Sequence, residues 1–172
     1  GKGVPELCAE AAQGALAGAR VRSTEIEVGH VGNFAGELYA GQGHLGGLLV
    51  EADRAFSGLP TSRHEAACAS GSVAVLAAMA DLEAGRYDAA LVLGVELMRT
   101  MSGFDAQKQL GAAAWVPRET AGVDYPWPQM FSDLADEYER RYGLDRRHLV
   151  ALARKNFANA KRNPSAQTRG GK

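Results

Sequence analysis

The apolar residues recur with two different periods along the chain, and these periods predict alternating helices and strands. Apolar residues at every third or fourth position over Pro5–Ala19 predict a helix, with the proline in its first turn. Val21–Val28 alternates imperfectly between apolar and polar residues and predicts a strand. The glycine-rich segment Gly29–Gly43 predicts loops, and His44–Phe56 predicts a short helix.

The middle of the chain predicts a strand, a helix and another strand in succession. The first strand is predicted over His64–Ala67 and the helix over Gly71–Glu83. Because Val73–Ala80 contains no polar side chain, this helix is expected to be apolar on every side and therefore buried. The continuous apolar run within Tyr87–Gly94 predicts a strand that is covered on both faces, as in a parallel sheet between helices.

The chain beyond the last of these strands predicts helices only. Met98–Asp124 lacks a strong period, which indicates an irregular loop. Two helices follow, over Met130–Tyr142 and over Arg146–Lys161, the second with Asp145 as its N-cap, and Arg169–Lys172 predicts a frayed end. This order predicts an α/β layer with a helical subdomain. Three predicted strands make a thin parallel sheet with uncovered edges, so the chain is expected to be part of a larger fold.

Composition and charge exclude several classes of function. The 172 residues include 19 basic and 20 acidic side chains, for a net charge of −1, which gives no electrostatic basis for binding nucleic acid or an anionic membrane. We find no signal peptide and no apolar run of transmembrane length, so a cytoplasmic protein without membrane insertion is expected. The basic stretch Arg140–Lys172 has two interpretations: a solvated helix face and tail, or a surface near a phosphorylated ligand.

The candidate chemistry lies in the two cysteines. Cys8 falls on the apolar stripe of the first helix, which indicates a buried core thiol. Cys68 lies where a strand ends and the apolar helix begins, so unpaired N–H groups and the helix dipole favour its thiolate, the nucleophilic form. Ser70–Ser72 is expected to shape this turn and cap the helix. No cysteine–histidine cluster has zinc spacing, so we expect no metal site and two free thiols.

Two further polar residues near Cys68 are expected to be structural. His64 precedes the cysteine on the predicted strand by about 13 Å of extended chain, which argues against direct pairing of the imidazole and the thiol. Glu96 comes just past the following strand, where we expect it to be buried and hydrogen-bonded near the site.

Three segments carry a resemblance to a known family. Glu65–Ser72 contains Cys68 and leads into the alanine-rich helix, Leu91–Met98 lies on the following strand, and Asn159–Pro164 with Gln167 is the third match. With these segments the chain resembles the thiolase superfamily over nearly its whole length, and most closely its branch of acetyl-CoA acetyltransferases similar to sterol carrier protein 2 (SCP2-like).

The resemblance implies a partial thiolase-like α/β fold, which in the family has five layers, α/β/α/β/α. Residues 1–120 would be the N-terminal half without its first strand, and residues 121–172 would begin the helical loop domain. The C-terminal half, which supplies a Gly-His-Pro motif and a second catalytic cysteine in the family, is expected to follow Lys172. The histidines of this chain match none of the family's catalytic positions: His30, His44, His64 and His148.

The resemblance also implies the reaction. Cys68 would take an acyl group from an acyl-CoA as a thioester and pass it to a second substrate or to CoA, with no cofactor besides the coenzyme A thioester substrate. Its backbone N–H would stabilise the oxyanion. Met130 would contact the pantetheine arm of the substrate, with ordinary helix packing as the alternative. Glu96 would be structural, and the protein would be a homodimer of lipid metabolism.

Two other functions remain open from the sequence. Some SCP2-like relatives resemble carbon–carbon lyases, steroid side-chain aldolases that work with a small partner protein. Such a lyase needs no nucleophilic cysteine, so the intact Cys68 segment argues against it. A thiolase-like subunit or fragment without catalytic activity is the other alternative.

Overall fold

The computed structural model describes residues 1–170, so the last two residues of the predicted frayed end lie outside the described residues. The α-helices are α1 (Val4–Ala19), α2 (Gly36–Ala40), α3 (Ser70–Glu83), α4 (Gly103–Leu110), α5 (Pro126–Tyr142) and α6 (Arg146–Arg162). The strands are β1 (Val28–Gly32), β2 (Thr61–His64) and β3 (Ala90–Gly94). Short 3₁₀ helices connect several of them.

The strands of residues 1–170 form one parallel sheet in the order β2-β1-β3. Gly29 pairs with Thr61 of β2 and with Leu91 of β3, which sets the register on both sides of β1. The predicted strand–helix–strand unit is therefore present as β2, α3 and β3, and β1 lies between its two strands. The α/β fold class is confirmed.

The sheet is covered on both faces, as the apolar β3 predicts. One face packs on α1 and on the 3₁₀ helix Leu45–Glu51, and the core cluster lies there. Its largest fully buried side chains are Leu45, Leu49, Val31 and Cys8. The opposite face packs on α3, which contributes the buried Ala74 and Ala78.

The prediction that α3 is buried on every side is wrong for this chain. The sheet covers one side of the helix, and its outward side is left open. The apolar side chains of that side remain between 39% and 61% exposed: Val75, Leu76, Met79 and Leu82. An apolar helix is buried only as far as other elements are present to cover it.

Two strand predictions were displaced along the chain. The first strand runs over β1 and not over Val21–Val28, because Ser23–Glu25 forms a 3₁₀ turn in which the Glu25 carboxylate accepts the backbone N–H of Arg22 at 2.8 Å. The predicted strand His64–Ala67 is β2, which ends at His64. The strand does not extend to Ala67 as predicted, because the positive φ of 48° at this residue is incompatible with extended backbone.

Two segments have more regular structure than the sequence indicated. Met98–Asp124 was predicted to be irregular but contains α4, whose N-cap Ser102 accepts the backbone N–H of Asp105 at 3.1 Å. Gly29–Gly43, predicted to be loops, contains β1 and α2. His44–Phe56 is not one α-helix but two 3₁₀ helices, Leu45–Glu51 and Arg54–Phe56.

The helix predictions were more accurate. The predicted first helix is α1, and the predicted apolar helix Gly71–Glu83 is α3 with one residue added. Helix α6 begins after Asp145, whose side chain accepts the backbone N–H of Arg147 at 3.0 Å, so the predicted N-cap is confirmed. Helix α5 starts earlier than predicted, with Pro126 in its first turn.

The contacts divide the chain into two compact units, Gly1–Trp127 and Pro128–Lys172. The first contains the sheet, and the second contains most of α5 together with α6. Within the second, the Arg146 guanidinium pairs with the carboxylate of Glu139 at 2.6 Å. The assignment of 1–120 and 121–172 to family domains stays a prediction.

Candidate active site

A pocket of about 360 Å³ lies where β1 and β3 end. Because all three strands are parallel, their carboxyl ends meet at one edge of the sheet, the usual place for a ligand in such folds. The side chains that line it and matter for its chemistry are Asn33, Tyr39, Cys68, Glu96, Met98 and Leu110. The first unit therefore provides an open cavity with a thiol, a carboxylate, an amide and a phenol.

The Cys68 thiol is exposed in this pocket. Cys68 is the middle residue of a 3₁₀ turn, Ala67–Ala69, and α3 begins directly after that turn. Sequence reasoning expected the cysteine between the strand and the helix, and the structure places it there, but on the turn that precedes the α-helix. Whether Cys68 is catalytic stays a prediction.

The turn that presents Cys68 is held by a buried hydroxyl. Ser70 is 5% exposed, and its Oγ accepts the backbone N–H of Ala66 at 3.0 Å and donates to the carbonyl oxygen of Ala67 at 2.7 Å. The N–H of Ala67 is taken by the Glu65 carboxylate at 2.6 Å, and that of Ala69 by the carbonyl of Ala66 at 2.9 Å. The predicted role of Ser70 in shaping the turn is confirmed, but the predicted capping of the helix is wrong, because the N-cap of α3 is Ala69 and no side chain caps it. The N–H of Cys68 takes no part in these bonds.

A second network joins the ends of β1 and β3 at the pocket. The Glu96 carboxylate accepts the backbone N–H groups of Phe34 at 2.9 Å and Ala35 at 3.3 Å, and the amide of Asn33 at 3.0 Å. The Asn33 amide also donates to the carbonyl of Val95 at 2.7 Å. Glu96 is therefore hydrogen-bonded at the site as predicted, but it is exposed and not buried.

His64 takes part in a separate polar cluster between the sheet and α3. Its Nε2 lies 2.9 Å from Nδ1 of His30 and 2.9 Å from the Ser62 hydroxyl. Nε2 of His30 lies 3.3 Å from the carboxylate of Asp81 on α3, without hydrogen-bond geometry. Burial, and secondarily the facing His64, lower the pKa of His30, whereas Asp81 opposes this shift. His64 is thus engaged away from the thiol, in agreement with its predicted structural role.

The remaining predicted residues lie elsewhere. Met130 is a half-buried residue of α5 and belongs to the second compact unit, so its contact with substrate stays a prediction. Cys8 is fully buried in α1, as predicted, and burial raises the pKa of its thiol. Among the described residues, no group of three or more histidines, cysteines and carboxylates has the geometry to hold a metal ion. Over the same residues, no helix combines the length and apolarity that crossing a membrane requires.

Sequence reasoning missed two pocket residues, Asn33 and Tyr39. Asn33 is 3% exposed and its side-chain Oδ1 accepts the backbone N–H of Gly36 at 2.9 Å, so it closes the turn after β1. Tyr39 is 5% exposed, and its hydroxyl has no hydrogen-bond partner within residues 1–170. The available signal was one asparagine and two aromatic residues, Phe34 and Tyr39, in a glycine-rich segment, which is too weak to single out a binding residue.

Comparison with known proteins shows which family this chain is similar to. The family model "Thiolase, N-terminal domain" matches residues 2–169. Acetyl-CoA acetyltransferase of Methanothermobacter thermautotrophicus is 30% identical over 165 residues, which cover 94% of this chain and 41% of that protein. Acetyl-CoA acetyltransferase of Methanocaldococcus jannaschii is 32% identical over 161 residues, or 94% of this chain and 40% of that protein.

A third relative is sterol carrier protein 2 of Gallus gallus, 29% identical over 169 residues, which cover 95% of this chain and 30% of that protein. The chain spans about two fifths of the length of the two acetyl-CoA acetyltransferases. The relatives have the names expected of the SCP2-like branch that the Cys68 segment resembles. The chain therefore belongs to the thiolase family, and residues 2–169 correspond to the N-terminal domain of that family.

Proposed function

We propose that the protein that carries this chain is an acyl-CoA acyltransferase of the thiolase type and that Cys68 is its nucleophile. The observation that carries the proposal is the position of this thiol. It is exposed, on a turn fixed by Ser70, in a pocket at the carboxyl ends of parallel strands. The names of the acetyl-CoA acetyltransferase relatives support acyl-CoA and CoA as the substrates.

In the proposed first half-reaction the Cys68 thiolate attacks the carbonyl carbon of an acyl-CoA. A new carbon–sulfur bond forms, the bond to the CoA sulfur breaks, and CoA leaves and is protonated. The N–H of Cys68 is the proposed donor to the oxyanion, since the bonds that hold the turn do not use it. In the second half-reaction an acceptor attacks the acyl-thioester, and the Cys68 thiolate is released.

The direction of transfer sets the acceptor. In degradation the thiolate instead attacks the 3-oxo carbon of a 3-oxoacyl-CoA, the bond between its α- and β-carbons breaks, and the departing acetyl-CoA takes up a proton at its α-carbon. The acceptor is then CoA, which removes the acyl group from Cys68 as a new acyl-CoA. In synthesis the acceptor is the α-carbon of a second acyl-CoA after loss of a proton. Met130 remains the proposed contact for the pantetheine arm. The same proposal includes a homodimer, a cytoplasmic location, a role in lipid metabolism and the absence of any cofactor besides the CoA thioester.

The proposal is tested by trapping the acyl-enzyme. The protein is incubated with labelled acetyl-CoA, quenched in acid and digested, and the labelled peptide is identified by mass spectrometry. We expect label on the peptide that contains Cys68, its loss in Cys68→Ala, and its retention in Cys8→Ala. Label that persists in Cys68→Ala, or folded wild-type protein that takes up none, would contradict the proposal.

The same variant separates the carbon–carbon lyase alternative. A lyase that needs no nucleophilic thiol would cleave its substrate equally fast with Cys68→Ala, in the presence of its small partner protein. A thiolase would lose the release of acetyl-CoA from acetoacetyl-CoA and CoA by several orders of magnitude, because the covalent step has no substitute nucleophile. Retained binding of CoA thioesters without any turnover in the wild type would instead favour a non-catalytic subunit.

A further inference from the structure

We propose that the Tyr39 hydroxyl binds a carbonyl oxygen of the acyl group that is held at Cys68. This inference rests on the proposed function and adds to it a residue that positions the substrate. Tyr39 lies on α2 and lines the same pocket as Cys68 and Glu96. No part of the acyl transfer described above uses it.

The state of the hydroxyl points to a missing partner. Tyr39 is only 5% exposed, and its Oη makes no hydrogen bond within the described part of the chain. A buried hydroxyl without a partner destabilises a fold, whereas the same group in a binding pocket is available to a ligand. Tyr39 is one of the residues that line this pocket, so a group bound there lies next to its side chain.

The ring is held in place by its surroundings. The backbone N–H of Tyr39 donates to the carbonyl of Ala35 at 2.9 Å, and α2 is capped at its C-terminus by Gly41, which has a positive φ of 65°. The ring of Phe34 meets the Tyr39 ring edge to face, with 6.5 Å between the centroids. Because Glu96 fixes the backbone of Phe34 and Ala35, the phenol is supported by the network that joins the strand ends.

Charge in the pocket selects the kind of ligand atom. Burial raises the pKa of Tyr39, and the nearby negative charges of Glu96 and of ionised Cys68 raise it further, so the hydroxyl stays protonated and can donate. The negative charge of Glu96, which remains when Cys68 is acylated, disfavours an anionic ligand next to it. A neutral carbonyl oxygen fits both conditions, and an acyl-thioester at Cys68 supplies one.

The test is Tyr39→Phe, which removes the hydroxyl and keeps the ring. We expect the rate of Cys68 acylation by acetyl-CoA in a single turnover to fall roughly 3- to 30-fold, the contribution of one hydrogen bond. The thermal midpoint of the free protein should rise, because an unpaired buried group is removed. Alkylation of Cys68 by iodoacetamide should keep its rate, which shows that the turn is intact.

The matched control is Tyr125→Phe, at an exposed tyrosine that packs edge to face on Phe104. It should change neither the acylation rate nor the thermal midpoint.

Acetoacetyl-CoA as a second donor locates the contact. An equal loss with both donors supports the inference, because both donors leave the same acetyl group on Cys68. A loss only with acetoacetyl-CoA assigns the contact to the departing acetyl-CoA and contradicts the inference.

Failure of this inference is distinct from failure of the proposed function. If Tyr39→Phe acylates Cys68 as fast as the wild type with both donors, the inference is wrong and the thiolase proposal stands. If Tyr39→Phe lowers the thermal midpoint, the hydroxyl has a structural partner in the free protein and the inference is also wrong. If the wild type forms no acyl-enzyme, the proposed function itself fails.

Discussion

Gly32, the last residue of β1, lies directly against Gly71 in the first turn of α3. A Cβ placed on Gly32 would come within 2.7 Å of the Gly71 Cα and 2.8 Å of the Ser70 carbonyl oxygen. All of these are backbone atoms, which cannot move aside like the end of a flexible side chain. The close approach sets the start of α3 against the strand end, and thereby the position of Cys68 in the pocket.

Gly32→Ala should therefore displace the start of α3. We expect a loss of about 2–3 kcal/mol in the free energy of unfolding, as for overpacking elsewhere, measured by urea denaturation. Formation of the acyl-enzyme should fall at least tenfold, because the Cys68 turn moves with the helix.

Gly14→Ala is the matched control for this prediction. Its Cβ would meet no atom within 4 Å, and the position lies inside α1. This variant should gain about 0.5–1 kcal/mol, since alanine favours a helix over glycine. An unfolding free energy for Gly32→Ala equal to that of the wild type would show that the two elements are not held by this contact.

The two cysteines should react at very different rates in the folded protein. Cys68 is exposed, whereas Cys8 is fully buried and burial raises the pKa of its thiol, so little of it is thiolate near neutral pH. Iodoacetamide should modify Cys68 and spare Cys8, as measured by peptide mapping. In urea both should react. Equal and slow labelling of both in the native protein would contradict an activated Cys68.

Glu96→Gln should loosen the segment between β1 and α2. The carboxylate accepts three N–H groups, and a glutamine would turn an NH₂ group toward at least one of these donors. Because the residue is exposed and water can substitute, we expect a modest loss of about 1 kcal/mol in unfolding free energy. Acyl-enzyme formation should fall more clearly, since the loop supports the pocket wall.

Glu51→Gln provides the comparison, because Glu51 is exposed and its carboxylate makes no hydrogen bond or ion pair within residues 1–170. The unfolding free energy and the acyl-enzyme formation of Glu51→Gln should match those of the wild type. If Glu96→Gln behaves in the same way as Glu51→Gln, the network at the strand ends does not support the pocket.

Protonation of the buried His30 should destabilise the fold in mild acid. Its pKa is lowered from an ordinary value of 6.5, mainly by burial and then by His64, and the facing carboxylate of Asp81, itself paired with Arg86, only partly offsets this. Below about pH 6.5 the unfolded chain binds a proton that the folded chain excludes, so stability is present above that pH and is lost as the pH falls.

The measurement is the urea midpoint between about pH 7.5 and about pH 5.5. His30→Gln cannot take up the proton, so it should be less stable near neutral pH but should show a flatter dependence on pH. His148→Gln, at an exposed histidine of α6, should keep the wild-type slope. A His30→Gln protein with the same slope as the wild type would assign the acid sensitivity to other groups.

Local signals in the sequence were sufficient for several elements. The span of α3, the N-cap at Asp145 and the burial of Cys8 all follow from neighbouring residues: helical periodicity, a capping side chain and an apolar stripe. The family was also evident, because the segment around Cys68 has a characteristic order of residues, and the match over residues 2–169 confirms it.

Long-range contacts decided what the sequence misplaced. Strand β1 contains two glycines and a histidine, which are poor strand signals, and it forms because β2 and β3 pair with it on both sides. Gly32 is needed there since the backbone of Gly71 comes too close for a side chain, and Gly29 leaves room for the buried side chain of Leu49. No periodicity in the segment itself encodes these neighbours.

By itself, the sequence determined that a cysteine stands between a strand and an apolar helix in a chain of the thiolase family. Only the tertiary structure decided that Tyr39 and Glu96 share a pocket with Cys68, and that the outward side of α3 stays uncovered in this chain. The physical reason is that a pocket and a buried face are made by residues distant in sequence, whose meeting depends on strand pairing and packing. Local patterns report the preference of each segment and not its partners.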